Sequence, residues 1–198
     1  MMSQSTIVGL EKLYYAKLTS DERGGLIAYD APIYLDNVKE ISINPKQNTE
    51  KGYGGNKLVL QMTTLDEIEV GINLLTLTNA QKADLLGHKL AAEGGVISKS
   101  DDIAPYVALL YLANKSNGEK RYGILYKGKM QLPEGGAKGQ EGKAEIQSNE
   151  MKAIFQPLSD GTWQYQVDTD DPNCPATIDT TFFTDVLIPT EASEGTVV

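Results

Sequence analysis

Apolar residues along most of this chain recur at every second position, the period of a strand with one buried face. The clearest case is DEIEVGINLLTL, in which Ile68, Val70, Ile72 and Leu74 face one way and Glu67, Glu69, Gly71 and Asn73 the other. Just before it, KLVLQMTTL places Leu58, Leu60 and Met62 on a common face. APIYLDNVKEISI (Ala31–Ile43) alternates less regularly but is rich in β-formers. IAPYVALLYLANK is almost continuously apolar, which predicts a strand covered on both faces. KRYGILYKGKMQL, AEIQSNEMKAIFQPL and GTWQYQV complete a meander, the last with Trp163 and Tyr165 on the same side.

One helix is well punctuated. Thr78 and Gln81 have the spacing of a capping box, and Gly87 stands where a left-handed residue ends a helix, so Asn79 to Leu86 is expected to be helical. IVGLEKLYYAKLTSDE fits either period, because Ile7, Leu10, Tyr14 and Leu18 also have helical spacing. ATIDTTFFTDVLIPTEASEGTVV reads as a strand-like centre with a frayed polar tail. Short strands, one short helix and long Gly-bearing loops predict a mainly β fold of two packed sheets, sandwich-like or barrel-like.

Between the runs Ile41–Ile43 and Leu58–Leu60 lies NPKQNTEKGYGGNK (44–57), a polar segment far longer than a hairpin turn needs. A second separator, PEGGAKGQEGK (Pro133–Lys143), is equally rich in Gly and charge. The 198 residues are expected to form one domain with an N-terminal arm (1–10), a long loop (44–57), a second loop (133–143) and a C-terminal tail (189–198). No further domain is expected beyond Val198.

Charge narrows the function. With 27 acidic against 18 basic residues the net charge is −9, the wrong sign for gripping nucleic acid by its phosphates. Cys174 is the single cysteine, so no intrachain disulfide is possible. MMSQSTIVGL has no secretory pattern, and Val107–Ala113 is too short an apolar run to span a bilayer, so a cytoplasmic protein without a membrane partner is expected.

Candidate chemistry is thin. His88 is the only histidine, too few for a triad or a histidine metal site, and its place after the helix predicts solvation or bonds to free carbonyls. Cys174 has no basic neighbour to activate it. DTDDPNCPATID offers Asp168, Asp170 and Asp179 at calcium-loop positions, but Pro172 and Asn173 occupy positions that need a ligand and a glycine. Neither Gly-rich segment has phosphate-loop spacing: GYGGNK lacks it outright, and around Gly142-Lys143 Ala137 and Ala144 stand where Gly and Ser or Thr are required. Glu67 and Glu69 share a face, yet no catalytic partner is visible. No enzyme and no cofactor are predicted.

GLEKLYYAKLTSDE, YDAPIYLDNVKEISINP, the long loop with GYGGN, MTTLDEIEVGINLLTLTNAQKADLLG, YVALLYLANKSNGEKRYGILYKGKM and TFFTDV together resemble major tail proteins of long-tailed phages, the phi13-type tail tube family. The resemblance covers most of the chain through short phrases and loop lengths. It implies two packed sheets with a flanking helix, a strand over Lys12–Lys17, and six subunits per ring, each giving four strands to a barrel around a channel. It implies stacked rings, contacts with tape measure, tail tip and terminator proteins, and double-stranded DNA passing without specific binding. The protein would reside in the virion tail, after assembly in the host cytoplasm.

The resemblance makes residues 44–57 the inter-ring stacking loop. Lys46, Gln47, Asn48, Thr49, Glu50, Lys51, Tyr53 and Asn56 would be its contacts, with Tyr53 as the anchor. Such a loop is expected to be disordered in the free subunit and to order on contact. Glu67, Glu69 and Glu145 are the candidates for the channel wall, where acidic groups repel phosphate. Two alternatives stand beside this reading. One is another self-assembling tube or tail part, such as a secretion tube or a terminator. The other is a monomeric β-sandwich module that binds carbohydrate on Trp163 and Tyr165.

Overall fold

The computed structural model describes residues 5–55, 57–133 and 148–190. Eleven strands and two short helices follow in chain order: β1 (Ile7–Asp21), β2 (Ile27–Tyr29), β3 (Ile33–Tyr34), β4 (Val38–Gly54), β5 (Lys57–Leu74), α1 (Asn79–Leu86), β6 (Lys89–Leu90), β7 (Val96–Ile97), β8 (Val107–Lys115), β9 (Lys120–Met130), β10 (Asn149–Gln156), β11 (Gln164–Asp168) and α2 (Ile178–Thr181). Nine strands form one antiparallel sheet in the order β2-β1-β8-β9-β10-β5-β4, with β11 on β9 and β3 on β1. β6 and β7 form a separate pair.

The large sheet rolls over on itself. In a flat sheet β1 and β5, four places apart, would be about 19 Å from one another at ~4.8 Å per strand. Yet Leu13 and Tyr15 of β1 share one core with Ile68, Val70, Ile72 and Leu74 of β5, together with Leu109, Tyr111, Met151 and Phe155. The roll begins where β9 changes partners. β11 lies beside Arg121–Leu125, and β10 lies beside Lys127–Met130. Between these stretches β8 advances from Leu109 to Val107 while β9 runs from Leu125 to Gly128, so β9 carries one residue more than its partner. A bulge of this kind bends and twists the strand. Gly128 follows it, and the Phe155 ring lies so close that a Cβ there would come within 2.4 Å.

β8 is covered on both faces, as its apolar run predicts. Val107, Leu109, Tyr111 and Ala113 enter the core shared with β5. Ala108, Leu110 and Leu112 enter a second core with Tyr122, Ile124 and Tyr126, covered by Ile178, Phe182 and Phe183. That cover corrects the expectation of a strand near the C-terminus, since Thr177–Phe182 makes a helical turn. Both adjacent phenylalanines pack against the same sheet, Phe182 against Tyr122 and Phe183 stacked on Tyr14 at 4.4 Å. Successive strand residues point to opposite faces, so a strand could bury only one of them.

α1 forms as the sequence predicts. The Thr78 hydroxyl accepts from the Gln81 amide, the Gln81 side chain accepts from the Thr78 amide, and Gly87 takes φ 72°. Lys17 and Tyr15 of β1 hold the helix through Asp84, at 2.9 and 3.2 Å. β1 resolves the ambiguity at the N-terminus as strand, and residues 7–10 of the expected arm are part of it, paired to β8. The chain turns between β3 and β4 at Asn37, which has φ 61°.

A charged cluster ties β8, β9 and β11 together. Lys115, only 6% exposed, donates to Asp168 at 2.9 Å and to Asp170 at 2.8 and 2.9 Å. Arg121 grips Asp168 through two nitrogens at 2.6 and 2.7 Å. Asp179 accepts from the Tyr122 hydroxyl instead. The three aspartates of the calcium-like spacing thus serve side-chain partners.

Candidate assembly surface

The fourteen-residue polar segment is not a loop. β4 and β5 continue through it as a two-stranded ribbon, from Gln47 opposite Leu65 to Gly54 opposite Lys57. Cross-strand pairing satisfies the backbone that a disordered loop would leave to water, so order here does not wait for a partner. Gln47–Gly54, at ~3.4 Å per residue, projects roughly 25 Å beyond the body.

The two faces of this arm differ. Register places Asn48 with Thr64, Glu50 with Met62, Gly52 with Leu60 and Tyr53 with Leu58 on one face. Leu58, Leu60 and Met62 are 50–56% exposed there, and Tyr53 is 72% exposed. The other face is largely polar, with Thr49 beside Thr63 and Lys51 beside Gln61. An exposed apolar row on a two-stranded ribbon, with no core beneath it, marks an interaction surface.

Lys46 stands at the elbow between arm and body. From Pro45 to Gln47 β4 advances two residues, while β5 advances three from Leu65 to Ile68. Across this bulge the Lys46 ammonium reaches Glu67 at 3.0 Å and Glu69 at 2.5 Å. Hydrogen bonds to Glu69 and then Glu67 push its pKa above the usual lysine value. A residue expected at the stacking contact and two expected at the channel wall therefore form one group.

Below the elbow, the outward faces of β4, β5, β10 and the end of β9 make a four-stranded polar surface. Asn44, Glu69, Ile154 and Lys129 lie in one row across it. Ser42, Gly71 and Lys152 make the next row, and Glu40, Asn73 and Glu150 another. Lys127 and Lys129 also lie over the Tyr106 ring, at 5.0 and 4.4 Å. Glu40, Glu67, Glu69 and Glu150 thus share this face with Lys46, Lys129 and Lys152, while the Lys127 ammonium pairs with Asp21 of β1 at 2.5 Å. Sequence reasoning found two of these acids and none of the balancing lysines on β9 and β10, because only register reveals which distant residues share a row. Asn56 and Glu145 lie outside the described residues, as does 134–143 of the second loop.

A cleft of about 490 Å³ opens between the N-terminal half of β1 and the first half of β4, lined by Ile7, Val8, Leu10, Ile41, Ile43 and Tyr111 among others. Residues elsewhere that drew attention in the sequence are engaged structurally. His88 is not solvated: its side chain is 7% exposed and its Nδ1 lies 2.7 Å from Asp102. The Lys99 amide and then His88 hold the Asp102 carboxyl below its usual pKa. Trp163 and Tyr165 do not make a common platform, because Trp163 packs on the first core and Tyr165 on the second.

A family model described as phage tail tube protein matches residues 37–170, from the turn before β4 to just past β11. The chain belongs to the phage tail tube protein family. A search of curated proteins finds no match. Tail tube proteins are structural components of the virion tail rather than enzymes, and they work by assembling with themselves and other tail proteins. In this tail tube protein the matched stretch contains the whole arm, the elbow and the four-stranded polar face.

Proposed function

We propose that this chain, as one domain, is the major subunit of the tail tube, that six copies close a ring, and that rings stack around a channel through which double-stranded DNA passes. The rolled sheet acts as the two packed layers of the tail tube fold, with α1 on its flank. The polar face of β4, β5, β10 and β9 is the channel wall, including Glu67 and Glu69. With four glutamates against three lysines it gives phosphate no net attraction. Tape measure, tail tip and terminator proteins are the partners at the lumen and at the tube's ends. The protein acts in the virion after assembly in the host cytoplasm.

The arm carries this reading. A preformed ribbon with Leu58, Leu60, Met62 and Tyr53 exposed on one face has a built contact surface that none of the described residues covers. Lys46, Gln47, Asn48, Thr49, Glu50, Lys51, Tyr53 and Asn56 serve it as the stacking element, and burial of Tyr53 between rings anchors it. Preorganisation lowers the ordering cost of each contact. Negative-stain electron microscopy of purified protein over a wide concentration range tests the reading. Hollow rings and tubes are expected, and particles that remain monomeric at the highest concentrations would contradict it.

A further inference from the structure

We infer that Leu58, Leu60 and Met62 on the arm of one copy seat in the cleft between β1 and β4 of a second copy. This inference rests on the tube reading and names the receiving site for its stacking element. The two surfaces are matched by what each lacks. The row is apolar, linear and uncovered. The cleft is walled by Ile7, Val8, Leu10, Ile41 and Ile43, with Lys39, Glu40 and Gln166 as its polar lining. Ile7 and Val8 remain 48% and 64% exposed beside it.

The arm cannot fill its own cleft. The β4–β5 ladder runs unbroken in direction from Val38–Leu74 to Gly54–Lys57, bending only at its bulges. The cleft wall at Ile41 and Ile43 and the arm beyond Gln47 are therefore successive parts of one ribbon, and folding back would break the pairs around the elbow. The row also continues the outward face of β5, the side of Glu67 and Glu69, rather than the core-facing side of Ile68 and Val70. A second copy can present the row from outside without either change.

Backbone geometry also favours this receiver. β4 ends the strand order, and β1 has no partner but β8 along Ile7–Lys12 among the described residues. Two strand edges therefore flank the cleft, and an extended segment laid between them can take up their amides and carbonyls. Donor and receiver are different patches, so the contact is heterologous and repeats from copy to copy without self-limiting at a dimer.

The test is disulfide trapping in assembled protein, with Cys174 replaced by serine. Chains carrying Leu60→Cys are mixed with chains carrying Val8→Cys, assembled and exposed to an oxidant. A reducible dimer several-fold above that formed by Leu60→Cys with Glu93→Cys, a position on the β6–β7 turn, is expected. Tubes that form while giving no more dimer than this control would overturn the cleft as receiver and leave the tube reading intact. Chains that form no assembly in either mixture or as unmodified protein would overturn both.

Discussion

Replacing Leu58, Leu60 and Met62 together by serine is expected to abolish tube formation while leaving the subunit folded. All three side chains are at least half exposed in the isolated chain, so their removal takes little from its core. The proposed contact would bury each in the tube, and full burial of such a side chain from an exposed state is worth ~1.5–3 kcal/mol. With each already about half covered, three together remove on the order of 3 kcal/mol per contact, a loss of roughly a hundredfold in its association constant. Thermal unfolding compared with sedimentation of assembled material separates the two effects. An unchanged melting temperature with no pelletable tubes is the expected result. Tubes at wild-type yield would show that the apolar face of the arm is not what joins the rings.

The second large effect lies away from the arm. Lys115→Met is expected to cost about 3 kcal/mol, the lower end of the range for removing one partner from a buried charge cluster. Asp170 would lose the ammonium that satisfies both its oxygens, while Asp168 would keep Arg121. For a domain of this size that corresponds to a melting temperature lower by about 10 °C. The cluster also predicts acid sensitivity. Arg121 first, and Lys115 after it, hold Asp168 at a pKa of about 2, below the value of a carboxyl in the unfolded chain. Its stabilisation is therefore complete above the unfolded value of about 4 and is lost as pH falls from there through 2. Melting temperatures from pH 7 to pH 2 should fall through that window in the wild type and more shallowly in the Asp168→Asn variant. Parallel curves would show that the ion pairs contribute nothing to stability.

The sequence was most informative where one residue's surroundings are local. α1 was legible to the residue, because capping boxes and glycine C-caps are written within a few positions. Ile68 to Leu74 was legible because strict alternation can bury only one face, and all four alternate residues are 0–2% exposed. The arm reads as a loop in the sequence because its signals conflict. Pro45, three glycines and several lysines suggest irregular chain, while the pairing that overrides them comes from β5 across the ribbon. Leu58, Leu60 and Met62 were correctly placed on one face, but alternation alone does not say whether that face meets the chain's own core or another molecule. The cleft left no sequence signal, since its walls are two strands distant in sequence that meet only when the sheet rolls.

The most direct measurement is a cryo-electron microscopy reconstruction of the assembled protein. The account predicts a hollow tube of stacked six-subunit rings, with Glu69 and Lys152 facing the channel and the β4–β5 arm crossing from each ring to the next. A solid fibre, or a tube whose arms project into solvent, would contradict it.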